Sequence, residues 1–114
     1  MSKELLIAKD RAKLKSRSYD LCMDVSEDFA ELCGTKVDTM ISKTRAHIPV
    51  SARLLCMYVL HKLGVNGNYI TWFFNRERTV IYNALRSAQN MLDTEHDVRE
   101  HTNQILMKHE SRRI

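Results

Sequence analysis

Apolar residues recur at intervals of three and four along most of the chain, the period of a helix with one buried face. Cys22, Val25, Phe29, Leu32 and Cys33 make one such face, and Gly34 marks its stop. The pattern reaches back through Leu5, Leu6, Ala12 and Leu14, so residues 1–18 read as a basic helical extension ahead of a domain over 19–114. A short helical piece follows from Val37 to Ser42. Ser42 to Ile48 is polar and basic and reads as an exposed arm. Pro49 then fits the first turn of the next helix, where its missing N–H would have no partner in any case. That helix buries Ala52, Leu55, Cys56, Val59 and Leu63 and ends at Gly64.

Tyr69 to Phe74 is the one stretch where a strand competes, because β-branched and aromatic residues cluster beside an Asn-Gly pair. The helical spacing of Ile70, Phe73 and Phe74, and the lack of alternation before Asn66, favour a short helix. Trp72, Phe73 and Phe74 are then core or turn-packing residues. Asn75-Arg76-Glu77 reads as a turn, and Arg78 to Leu92 as a helix with Ile81, Ala84, Leu85, Ala88, Met91 and Leu92 inside. Its outer face carries Arg78, Thr79, Tyr82, Asn83, Arg86 and Gln89 without one acid. Thr94 with Asp97 fits a capping box, and Val98, Ile105 and Leu106 predict a last helix. The predicted fold is all-α, a bundle of five or six helices round one core.

Composition agrees with helices. In 114 residues there are three Gly and one Pro against 44% hydrophobic positions, too few turn formers for a sandwich and too much apolar content for a disordered chain. Cys22, Cys33 and Cys56 are odd in number and come with no secretory signal, which implies packed thiols in a reducing, cytoplasmic setting. No run approaches the roughly 18 apolar residues of a membrane span. His96, His101 and His109 lack the i, i+4 spacing of a helical metal site, and no nucleophile motif is present, so neither metal, cofactor nor enzymatic activity is expected.

The charge is +4, from 18 Lys and Arg against 14 Asp and Glu, and it is uneven. Lys3, Lys9, Arg11, Lys13, Lys15 and Arg17 crowd the start, whereas Asp93, Glu95, Asp97 and Glu100 cluster late. Net charge alone leaves nucleic-acid binding open. The basic start has two readings: packing on the core or on a second subunit, as in a homodimer, or contact with phosphate.

Two short helices joined by a tight turn, the second with cations at its start and an acid-free outer face, suit the major groove. Arg78 can donate to guanine O6 and N7, Asn83 can pair with adenine, and the Thr79 methyl can meet a thymine methyl. A merely solvated helix face explains the same residues equally well.

From Ser42 to Leu92 the sequence resembles the carboxy-terminal DNA-binding domain of the bacterial replication initiator DnaA, whose helix-turn-helix is of the Trp-repressor type. The most specific stretch is RERTVIYNALR, Arg76 to Arg86, which is similar to the family's Arg-Asp-His-Thr-Thr-Val signature and the aliphatic, His and Ala positions after it. SKTR before SARLLCMYV looks like the family's basic loop and Arg-bearing helix, and DTEHDVREHTNQILMKH like its closing helix.

The resemblance implies double-stranded DNA as partner. Arg45, in the basic loop with Lys43, matches the arginine that enters the minor groove. Arg78 and Thr79 match the base-reading pair, and Asn83 the signature's second His, one turn on from Thr79 and beside Tyr82. Arg53, Arg76 and Arg86 fall on basic positions that contact phosphate or set the turn. Asn75 stands where the family has paired glycines, Arg78 replaces His, Val80 replaces Thr and Glu77 replaces Asp, so the target site need not be the initiator's own. With Gly only at 34, 64 and 67 there is no phosphate-binding loop for ATP. The expectation is therefore a stand-alone DNA-binding protein of replication or transcription control, in a bacteriophage or mobile element by analogy. The rival is a helical interaction module that keeps the fold without sequence-specific DNA binding.

Overall fold

A computed structural model of the chain describes residues 17–114, so the expected extension over 1–18 lies almost wholly outside the described residues. Within them the protein is all-helical: α1 (Arg17–Cys33), α2 (Val37–Ile41), α3 (His47–Lys62), α4 (Gly67–Phe73), α5 (Val80–Thr94), α6 (His96–Lys108) and a closing 3₁₀ turn, Glu110–Arg112. Tyr69–Phe73 is helical, as its spacing indicated, and Phe74 is the C-cap in the turn that follows.

The core is built round α3, which packs against every other α-helix. Its sequence explains why: Pro49, Ala52, Leu55, Cys56, Met57, Val59 and Leu60 are all buried, and a helix apolar on most sides belongs in the middle. From α1 come Leu21, Cys22, Val25, Phe29 and Ala30, and from α5 the narrow stripe Ile81, Ala84, Ala88 and Leu92. The two alanines of that stripe leave room for α5 to lie close to α3. Between α1 and α3, Ser26 Oγ and Cys56 Sγ share a buried contact of 3.3 Å. Burial pushes the Cys56 thiol up to about 12 and raises Cys22 as well, so both pack as small apolar groups. Cys33 packs against the edge of the core but is only half-buried, short of the buried thiol expected of it.

Three helices end the same way. After α1, α3 and α4 the chain enters the left-handed region at Gly34 (φ 71°), Gly64 (φ 88°) and Asn75 (φ 55°). The next N–H reaches back to a carbonyl in the last turn: Thr35 to Ala30 at 2.8 Å, Val65 to Leu60 at 3.1 Å and Arg76 to Thr71 at 2.7 Å. These are Schellman caps, which satisfy carbonyls that the helix leaves open. Asn is the side chain best suited to such a conformation after Gly, so one Asn75 suffices for the turn.

The two glycine caps differ in surroundings. A Cβ at Gly34 would meet nothing within 4 Å, whereas at Gly64 it would strike the Ile114 carbonyl. Gly34→Ala should therefore cost about 1 kcal/mol from backbone conformation alone. Gly64→Ala should cost more, because it also breaks the 2.8 Å bond from Ile114 N–H to the Leu63 carbonyl. Urea unfolding of the two variants checks the order; equal losses would mean that Ile114 is not seated there.

Several boundaries shift from expectation. The arm shortens to Ser42–Ala46, because the helix starts at His47 ahead of Pro49. The helix expected over Arg78–Leu92 starts at Val80 and runs to Thr94, leaving Arg78 and Thr79 in the turn before it. Thr94 does not cap α6: its hydroxyl donates to the Asn90 carbonyl at 2.8 Å inside α5, and Glu95 takes the N-cap position. Val98, Ile105 and Leu106 are half-buried, and Thr102 is the residue of α6 that is fully enclosed.

The carboxy-terminal end is fastened to α1 by two ion pairs, from Lys108 and Arg112, and by a hydrogen bond from His109. Asp28 meets Lys108 Nζ at 3.0 Å and His109 Nε2 at 2.6 Å, and Asp24 meets Arg112 at 2.7 Å. Arg112 also lies 3.3 Å from His109 Nδ1; a guanidinium can only donate, so Nε2 is the nitrogen that donates to Asp28. Partial burial raises the Asp28 carboxyl, but the bonds from His109 and Lys108 outweigh it and hold the group below its ordinary value. A depressed carboxylate adds stability above its unfolded value of roughly 4 and loses it as pH falls through the folded value. Asp28→Asn should thus flatten the decline in melting temperature as pH falls below about 4; an unchanged acid limb would show that other carboxylates cause it.

Candidate nucleic-acid interface

Apart from Arg53, which lies on α3, the expected site residues fall on three pieces: the arm Ser42–Ala46, the turn Phe74–Thr79 and the outer face of α5. The arm is shaped by its own hydroxyls. Ser42 Oγ donates to the Thr39 carbonyl at 2.7 Å and accepts from Thr44 N–H at 3.4 Å, while Thr44 Oγ1 accepts from Ala46 N–H at 3.1 Å. Lys43 and Arg45 between them are exposed.

Arg76 joins the arm to the turn. Its Nη1 donates to the carbonyls of Ile41 (3.1 Å), Phe74 (2.9 Å) and Asn75 (3.3 Å), and its Nη2 to that of Ser42 (2.6 Å). Arg53 of α3 adds a bond of 3.2 Å to the Met40 carbonyl. Burial and the nearby Arg76 charge hold the Arg53 guanidinium below its ordinary value. Two arginines thus hold the end of α2 where the arm begins. Of the two roles open to Arg76, setting the turn is the one its bonds describe.

Arg78 and Thr79 are exposed at the approach to α5, and Tyr82, Asn83 and Arg86 are exposed on its first two turns, with Tyr82 at 75%. From Arg78 to Gln89 there is no acid. Arg78, Thr79 and Tyr82 also line a cleft of about 450 Å³ with His61, Asn66 and Asn68. Sequence reasoning did not single out His61, Asn66 or Asn68. The two asparagines had one signal, the Asn-Gly-Asn run, in which Asn66 Oδ1 accepts from Asn68 N–H at 2.8 Å to cap α4, and His61 had none.

Such a surface offers bidentate guanidinium donors, an amide, a phenol and a threonine methyl, on a convex helix flanked by a basic arm. It contains no enclosed acid–base pair. No helix among the described residues is long and apolar enough to cross a membrane.

The sequence matches no protein-family model and no curated protein. The chemistry of the surface therefore carries the functional argument.

Proposed function

We propose that the protein binds double-stranded DNA, with α4 and α5 as a helix-turn-helix of the DnaA carboxy-terminal type. In this reading the start of α5 lies in the major groove and the arm at Arg45 in the adjacent minor groove. The observation that carries it is the continuous exposed surface of Arg78, Thr79, Tyr82, Asn83 and Arg86, acid-free and coupled through Arg76 to the arm that bears Lys43 and Arg45. Major-groove reading asks for such a convex, donor-rich helix start, and a narrow minor groove attracts a guanidinium. Arg53 and Arg76 then act by placing the arm, and Arg86 remains available to phosphate. The role that follows is control of replication or transcription.

A titration on short random-sequence duplexes tests the reading. With about four phosphate contacts, affinity should fall on the order of 100-fold between about 50 and 200 mM salt. No binding at low salt, or binding indifferent to salt, would leave the rival reading of an interaction module. On a site selected from a random pool, Arg78→Ala and Arg45→Ala should each weaken binding by about 1 to 3 kcal/mol. If both variants bind like the parent, the groove assignments are wrong.

A further inference from the structure

A groove of about 1070 Å³ runs between α1, α2 and α4 with the turn that follows. Its apolar lining comes from Tyr19 and Met23 of α1, Val37 and Ile41 of α2, and Trp72 and Phe73 of α4. Around this lining stand three carboxylates, Glu27, Asp38 and Glu77, all exposed and in no ion pair among the described residues. Arg76 and Arg78 enter from the turn, but the guanidinium of Arg76 is held by four carbonyls. Exposed carboxylates beside an apolar floor repel phosphate and select an occupant that is both apolar and cationic.

This chain contains one. Residues 1–16 carry Lys3, Lys9, Arg11, Lys13 and Lys15 against Glu4 and Asp10, together with Leu5, Leu6, Ile7 and Leu14. Only Arg17 and Ser18 separate the segment from Tyr19, which is itself on the groove wall. Sixteen residues reach up to about 50 Å when extended, so the tether does not limit access, and covalent linkage raises the local concentration of the segment. We propose that residues 1–16 dock intramolecularly in this groove, their leucines on the apolar lining and their lysines against Glu27, Asp38 and Glu77. The proposal does not rest on the DNA reading of α5.

Zero-length carbodiimide cross-linking of the full chain at low salt, followed by peptide mapping, tests it. Amide links from Lys9, Lys13 or Lys15 to Glu27, Asp38 or Glu77 are expected within the monomer band. Links to Asp93–Glu100 instead, links only between two chains, or none at all would overturn it. The chain's one tryptophan, Trp72, gives a second readout. In the full-length variant Leu5→Ser, Leu6→Ser, Leu14→Ser, acrylamide quenching of Trp72 should rise about twofold as the apolar cover is removed, with the domain's melting intact. Quenching equal to that of the parent would show that the segment does not cover the groove.

Discussion

Phe74→Ala should destabilise the protein by about 3 to 5 kcal/mol, a large share of the roughly 5 to 15 kcal/mol that holds a domain together. Phe74 is fully buried at the end of α4, and its ring stands edge-on to Phe73 with centroids 5.0 Å apart. Phe73 in turn meets Tyr19 of α1 at 5.9 Å, so the aromatic contacts run from the turn to the first helix. Truncation removes the ring from the core and leaves a cavity that two helices and a capped turn cannot close. The urea midpoint should drop at nearly constant slope, and Phe74→Leu, which refills most of the space, should recover over half of the loss. A drop under about 1 kcal/mol would show that the ring does not sit in the core.

That ring was legible in the sequence because its signal is local. Helical spacing marked the faces of α1, α3 and α5, and glycines at 34 and 64 marked two of the stops, since a left-handed cap shows in the residue that adopts it. The start of α5 was misplaced by two residues because Arg78 and Thr79 satisfy helical periodicity whether they lie in the first turn or ahead of it. The Thr94 cap failed for a different reason: a hydroxyl that can cap can also bond back to the carbonyl four residues earlier, and here it does.

Long-range polar contacts were not legible at all. Arg76 reaches carbonyls 34 and 35 residues away, and His109 reaches Asp28 across 81. No spacing rule links such positions, because backbone carbonyls carry no sequence signature. The same blindness hid His61 and Asn68 beside Arg78, since α3 and α4 come together with the start of α5 only in the folded chain. The candidate interface was thus readable as a set of exposed cations, but the way it is held together was not.

Arg76→Met exposes that hidden part. Methionine keeps an apolar stem of similar length and removes the guanidinium, so the carbonyls of Ile41, Phe74, Asn75 and Ser42 lose their common donor. Water can serve the exposed Asn75 and Ser42 carbonyls, whereas those of Ile41 and Phe74 are partly shielded, which limits the expected loss to about 2 to 4 kcal/mol. Arg76→Lys should recover little, since one ammonium cannot span the carbonyls of both the turn and the arm. DNA binding then separates placement from contact. If Arg76 only fixes the arm, Arg76→Met should weaken specific binding at temperatures where the protein stays folded, yet leave the salt slope unchanged. A direct phosphate contact would lower the slope by about one. A variant as stable as the parent would mean that the arm and the turn are not joined through this side chain.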